Sequence, residues 1–160
     1  MVAQLTRISV SIGSPAWAEA VDLKRHRAYT DVMATCRWTY DEVAGRYAKR
    51  WAPEDFHETM LRRAVEGGEL LAWVLEGRMV AYAAVSLQPL CGEGEPLICI
   101  SGDVLVVPEL AFDHQVAVAE QLYEYGCERG ALLCEFNVDA PFRAAMAAAG
   151  FQDRKALMRR

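Results

Sequence analysis

The chain has 160 residues, of which 53% are apolar, and carries a net charge of −5. That length suits one domain, and the apolar share is enough to fill one core. Scattered lysines and arginines in an acidic chain exclude nucleic acid as the main partner, and no segment approaches the roughly 18 continuous apolar residues of a membrane span. The start of the sequence has no basic segment leading into an apolar run, so a cytoplasmic location is expected. Five cysteines, Cys36, Cys91, Cys99, Cys127 and Cys134, lie in apolar surroundings without a C-x-x-C spacing. They read as small buried hydrophobes in a reducing compartment, with neither a disulfide framework nor a metal site. The basic clusters at Lys24, Arg25 and Arg27, at Arg62 and Arg63, and at the C-terminus read as solvated faces without a functional role.

Ile8, Val10 and Ile12 alternate with serines, which predicts a half-buried first strand stopped by Gly13-Ser14-Pro15. Ser14 then reads as an N-cap with proline in the first helical turn, and Trp17, Ala20, Val21, Lys24 and Ala28 share one helical face. A second helical region includes Trp38 to Tyr47 and restarts at Pro53, with Phe56, Met60, Leu61, Ala64 and Val65 as its apolar face, until Gly67-Gly68 ends it. Strands are predicted over 70–75 and 79–87, joined by a tight turn at Glu76-Gly77-Arg78, and over 97–107 after a loop containing two prolines and two glycines. A helix over about 113–128 follows, with Val116, Ala119, Leu122 and Tyr123 on one side. The chain closes with a short strand over 131–137, a helix over 140–149 and a final strand over about 151–158. Asp113 is placed to cap the helix that it opens, and its carboxylate would then occupy the amides that a phosphate needs.

Three short stretches carry a family resemblance: Gly102-Asp103-Val104-Leu105-Val106-Val107-Pro108-Glu109, then Glu128-Arg129-Gly130-Ala131, then Gly150-Phe151. They resemble the fourth strand with its V-x-P-E end, the E-R-G-A turn and the late G-F of the GNAT superfamily of acyltransferases. The resemblance implies an α/β (α+β) fold, a mostly antiparallel mixed sheet flanked by about four helices, in one domain over 1–160. It is detailed over 70–160 and rests on helix count over 1–69. It also implies Asp103 as the base toward an amine. Leu105, Val106 and Val107 would be the backbone against an acyl-CoA arm, with His114 and Gln115 at its phosphates.

The sequence departs from that pattern at three places. The segment 110–119 has no glycine and no arginine or lysine where the family holds the CoA pyrophosphate on backbone amides. Met146 stands where many members carry the tyrosine that protonates the leaving thiolate, and a thioether donates no proton. Asp139 replaces a frequent asparagine, although Pro141 matches.

Two functions follow from the resemblance. The favoured one is a GNAT-fold scaffold that has lost ordinary acetyl transfer, expects no cofactor, and works as a structural or interaction protein, for instance a bacteriophage accessory or particle component. The alternative is a diverged N-acyltransferase moving an acyl group from acetyl-CoA, another acyl-CoA or a carrier thioester to a small-molecule amine. A protein partner or self-association is expected. The aromatic stretch containing Tyr29, Trp38, Tyr40, Tyr47 and Trp51, interleaved with arginines, is read first as helix packing and second as an interface.

Overall fold

The computed structural model describes residues 3–51, 55–89, 92 and 96–153. In chain order these form β1 (Thr6–Val10), α1 (Pro15–Met33), α2 (Tyr40–Trp51), α3 (Phe56–Ala64), β2 (Glu69–Leu75), β3 (Arg78–Pro89), β4 (Leu97–Val106), α4 (Phe112–Glu128), β5 (Ala131–Phe136) and α5 (Ala140–Ala148). The five strands make one sheet in the order β1-β2-β3-β4-β5, antiparallel except for the parallel pair β4–β5. The mixed sheet and element order match the expectation, with five helices instead of four. Phe151 to Asp153 lie outside any strand, and the rest of the expected final strand lies outside the described residues.

Both faces of the sheet are covered, which is why β2 and β3 read as apolar runs. Side chains alternate along a strand, so Leu71, Trp73, Ala81, Ala83 and Val85 pack toward α4 and α5, while Leu70, Ala72, Tyr82 and Ala84 pack toward α1 and α3. The β2–β3 turn works as its sequence requires: Glu76 and Gly77 have φ of 52° and 78°, the paired positive values of a tight hairpin. Helix α1 starts as expected, with the Ser14 side chain accepting from the Trp17 amide at 3.1 Å and Pro15 in the first position.

Several assigned faces shift. Ile12 is exposed and lies outside β1. Helix α3 is capped by Asp55 and buries His57, Leu61 and Val65, leaving Met60 and Ala64 exposed. Helix α4 buries Val118, Ala119, Leu122, Tyr125 and Gly126, and Tyr123 faces outward. Gly126 is required there: a Cβ on it would stand 2.4 Å from Cys134 Sγ and 3.2 Å from Cys99 Cβ, so α4 lies close on β4 and β5. Among the described cysteines only Cys99 is fully buried; Cys127 is exposed and Cys36 and Cys134 are intermediate, contrary to the uniform burial expected. Burial pushes the Cys99 thiol up to about 12.

Candidate active site

Strand β4 holds the site because its pairing changes partway along. Ala84 pairs with Asp103 and Ser86 with Ile100, so two steps on β3 face three on β4, and the extra residue forms a bulge at Ser101-Gly102. The Ser101 hydroxyl supports it, donating to the Asp103 carbonyl at 3.3 Å and accepting from the Asp103 amide at 3.4 Å. On its other edge β4 pairs with β5 only from Leu97 to Ser101, and the last backbone bond runs from Asn137 N to Ser101 O at 2.9 Å. Beyond that point the two strands part. Residues 102–106 of β4 have no strand partner on this side among the described residues.

Pleating decides which backbone groups face the opening. Val107 N donates to Val80 O at 2.9 Å, so by the alternation of an antiparallel ladder Asp103 and Leu105 turn their backbone groups to β3. Val104 and Val106 turn theirs to the open edge. Of Leu105, Val106 and Val107, only Val106 turns its backbone groups to the open edge, and Val104 does so as well.

Asp103 sits at the bulge and lines a cavity of about 340 Å³ between α1, α3 and the opening. Its carboxylate accepts from the Tyr82 hydroxyl at 3.1 Å and pairs with Lys24 Nζ at 3.0 Å. Tyr82 is fully buried, and its phenol is pushed far above its ordinary range, first by burial and then by the Asp103 charge and hydrogen bond. It remains a proton donor to Asp103. A few steps along α1, Arg27 donates to the Val106 carbonyl at 2.7 Å and to Asp139 Oδ2 at 2.6 Å, bridging the open edge of β4 to the start of α5. Asp139 is the N-cap residue of α5, yet its side chain caps no amide there.

Lys24, Arg25 and Arg27 therefore are not the solvated cluster that the sequence suggested. Lys24 and Arg27 bind Asp103 and Asp139, while Arg25 pairs with the α3 cap Asp55. The signal was present in the spacing, since Lys24 falls on the same helical stripe as Trp17, Ala20 and Val21, where a charge needs a buried partner. Arg62 does behave as a surface residue, pairing with Glu58 one turn away.

His57 is the other residue missed from sequence. It is buried on α3, lines the same cavity and lies among the rings of Tyr29, Tyr47 and Phe56 at 5.2–5.5 Å centroid distances. Its Nε2 has no hydrogen-bond partner. Burial, and then the charges of Arg25 and Lys24, hold the imidazole below its ordinary 6.5, so it stays neutral. Within the aromatic stretch Tyr29 is buried against the Tyr40 and Tyr47 rings, while Tyr40 itself is 36% exposed. Trp38 is 38% exposed under the Arg46 guanidinium, which lies 3.7 Å from the ring centroid, and the Trp51 side chain lies outside the described residues.

A second cavity of about 700 Å³ shares Arg27 and Leu105 with the first and continues along the β4–α4 loop to His114, with His26 and Arg78 on its walls. The cap of α4 corrects the expectation. The N-cap is Ala111, no side chain caps the helix, and Asp113 lies within the first turn. The Asp113 carboxylate therefore does not occupy the first amides. Gln115 is committed elsewhere, its amide donating to the Leu110 carbonyl at 2.8 Å, whereas His114 lines the larger cavity. Met146 is buried core, and neither Tyr123 nor Tyr125 lines the first cavity.

No helix among the described residues is long and apolar enough to cross a membrane, and none of their His, Cys, Asp and Glu side chains group as a metal site. No family model matches the sequence, and no curated protein does. Solved structures do. A structure described as "Putative acetyl transferase from Pyrococcus furiosus" matches at TM-score 0.59 and 19% identity, covering 94% of this chain and 95% of that one. An aminoglycoside acetyltransferase from an uncultured soil sample matches at TM-score 0.60 and 20% identity, covering 94% and 93%. The aminoglycoside N-acetyltransferase AAC(6')-Iy, solved with CoA, matches at TM-score 0.51 and 13% identity, covering 96% and 91%. The chain has the GNAT fold of these proteins over nearly its whole length.

Proposed function

We propose that this protein is an N-acyltransferase that moves an acyl group from a CoA thioester to an amine held in the 340 Å³ cavity. The observation that carries the reading is Asp103, an acceptor carboxylate fixed at the bulge where β4 and β5 part, at the wall between the cavity and an open strand edge. The residues present fit an acyl-CoA in two respects. The Val104 and Val106 backbone faces the opening, and no side chain caps the first amides of α4, with Asp113 in the same turn. The loop before α4 departs from the family in having no glycine.

When bound, the thioester supplies an activated acyl carbon and a thiolate leaving group. The chain's own part is to bind the amine and remove its proton. Lys24 and Arg27 neutralise Asp103 and Asp139, while Asp31 at the cavity rim has no ion-pair partner among the described residues, so the described lining keeps one negative charge that favours a cationic amine. An amine that displaces Lys24 from Asp103 can pass a proton to that carboxylate, and the Tyr82 hydroxyl keeps the carboxylate facing the cavity. Arg27 must release the Val106 carbonyl before an acyl-CoA arm can pair there.

Three observations favour the scaffold reading: Arg27 lies across the opening, the loop before α4 has no glycine, and buried Met146 stands where a proton donor is expected. Asp113 does not cap α4, but its carboxylate stands in the first turn, at the helix end that a phosphate would use. Calorimetry with acetyl-CoA, followed by thiol release from acetyl-CoA with a panel of primary amines, tests the choice. Binding tighter than about 100 μM (about −5.5 kcal/mol) with amine-dependent turnover is expected, and Asp103→Asn should lower kcat/KM by about 100-fold or more. Absence of binding in the wild type returns the scaffold reading.

A further inference from the structure

In the structure the acceptor position of this cavity is taken by an amine of the protein itself. Lys24 Nζ lies 3.0 Å from Asp103 Oδ2, and its side chain is 22% exposed along the cavity that it lines with Gly102 and Tyr82. Asp103 follows the bulge directly, beside the open edge of β4, so the Lys24 nitrogen stands where the proposed reaction requires an attacking nitrogen. We propose that Lys24 is a self-acylation site: bound acyl-CoA transfers its acyl group to Lys24 Nζ within the same molecule. This rests on the acyltransferase reading.

The step balances. The Lys24 ammonium gives one proton to Asp103, which passes it to water, and the neutral nitrogen attacks the thioester carbon. The C–S bond breaks as the amide C–N bond forms, and the second nitrogen proton goes to the departing thiolate, leaving free thiol. Asp103 then has no ammonium partner, and the acylamide occupies the cavity that an outside amine would enter. Self-acylation and transfer to small amines thus compete for one nitrogen position.

The experiment incubates the full chain with acetyl-CoA and reads acetylation by intact mass and peptide mapping, with the exposed Lys49 as an internal measure of uncatalysed acetylation. The expected result is one acetyl group on Lys24, formed at a rate independent of protein concentration, ahead of Lys49, and slowed about 100-fold in Asp103→Asn. Lys24→Arg, which keeps the charge facing Asp103, should abolish the adduct while retaining the wild-type melting temperature to within a few degrees. If the wild type turns over free amines yet Lys24 stays unmodified or is labelled no faster than Lys49, self-acylation is overturned and the transferase reading stands. If acetyl-CoA neither binds nor reacts, both are overturned together.

Discussion

Tyr82 and Asp103 form the hydrogen bond on which the site depends, and removing the phenol oxygen alone should cost measurable stability. A bond to a charged acceptor contributes about 1.5–3 kcal/mol. At 3.1 Å this one is longer than the 2.5–2.7 Å typical of a hydroxyl on a carboxylate, which places it at about 1.5 kcal/mol. Tyr82→Phe keeps the buried ring and leaves no orphaned hydroxyl, so its cost should be close to that value. Asp103→Ala costs more, because it strands the Tyr82 hydroxyl inside a fully buried side chain and leaves Lys24 without its partner. The double variant has no orphaned hydroxyl. Urea unfolding of the four proteins, followed by the fluorescence of the buried Trp17 and Trp73, gives the coupling directly. A coupling of about 1.5 kcal/mol is expected, and additivity within about 0.5 kcal/mol would show that the bond does not hold Asp103 in place. In the transfer assay Tyr82→Phe should lower kcat/KM by about tenfold, the equivalent of about 1.4 kcal/mol, because the carboxylate is less well aimed.

Two further outcomes follow from the packing. Gly126→Ala gains helix propensity of about 1 kcal/mol but drives a Cβ to within 2.4 Å of Cys134 Sγ and 3.2 Å of Cys99 Cβ. The net should be a loss of about 1 kcal/mol and a Tm lower by about 2–4 °C in a thermal melt; an unchanged or higher Tm would mean that Cys134 swings aside without cost. His57 is held neutral in the folded state with its pKa below 6.5, so the unfolded chain binds the proton more readily. Its contribution to stability is present above pH 6.5 and is lost as the pH falls below that value. Melting curves between pH 8 and pH 5 should show a decline in the wild type that is smaller in His57→Phe, and parallel curves would refute the assignment.

Local chemistry was readable in the sequence wherever neighbouring residues decide the outcome. Ser14 with Pro15, Glu76 with Gly77, and the apolar runs of β2 and β3 specify a cap, a hairpin turn and buried strands through forces that act over a few residues. The V-x-P-E strand and the late G-F placed the chain in its fold, and Asp103, singled out in the sequence, lines the cavity. Errors began where distant segments decide. His57 went unnoticed because Met60 and Phe56 on the same helix looked like the apolar face, and only packing against Tyr29 and Tyr47 turns the helix to bury residues 57, 61 and 65.

The sequence by itself determined β1 to β5 and the order of the elements from β1 to α5, because periodicity and turn chemistry are properties of adjacent residues. Tertiary structure alone decided that Lys24 reaches across to Asp103, 79 residues away, and that Arg27 reaches Asp139, 112 residues away. It also decided where β5 leaves β4. Charges separated by that much chain have no local pattern to reveal their pairing; they meet only when the sheet and α1 are packed, and burying them together is favourable only once each has its partner.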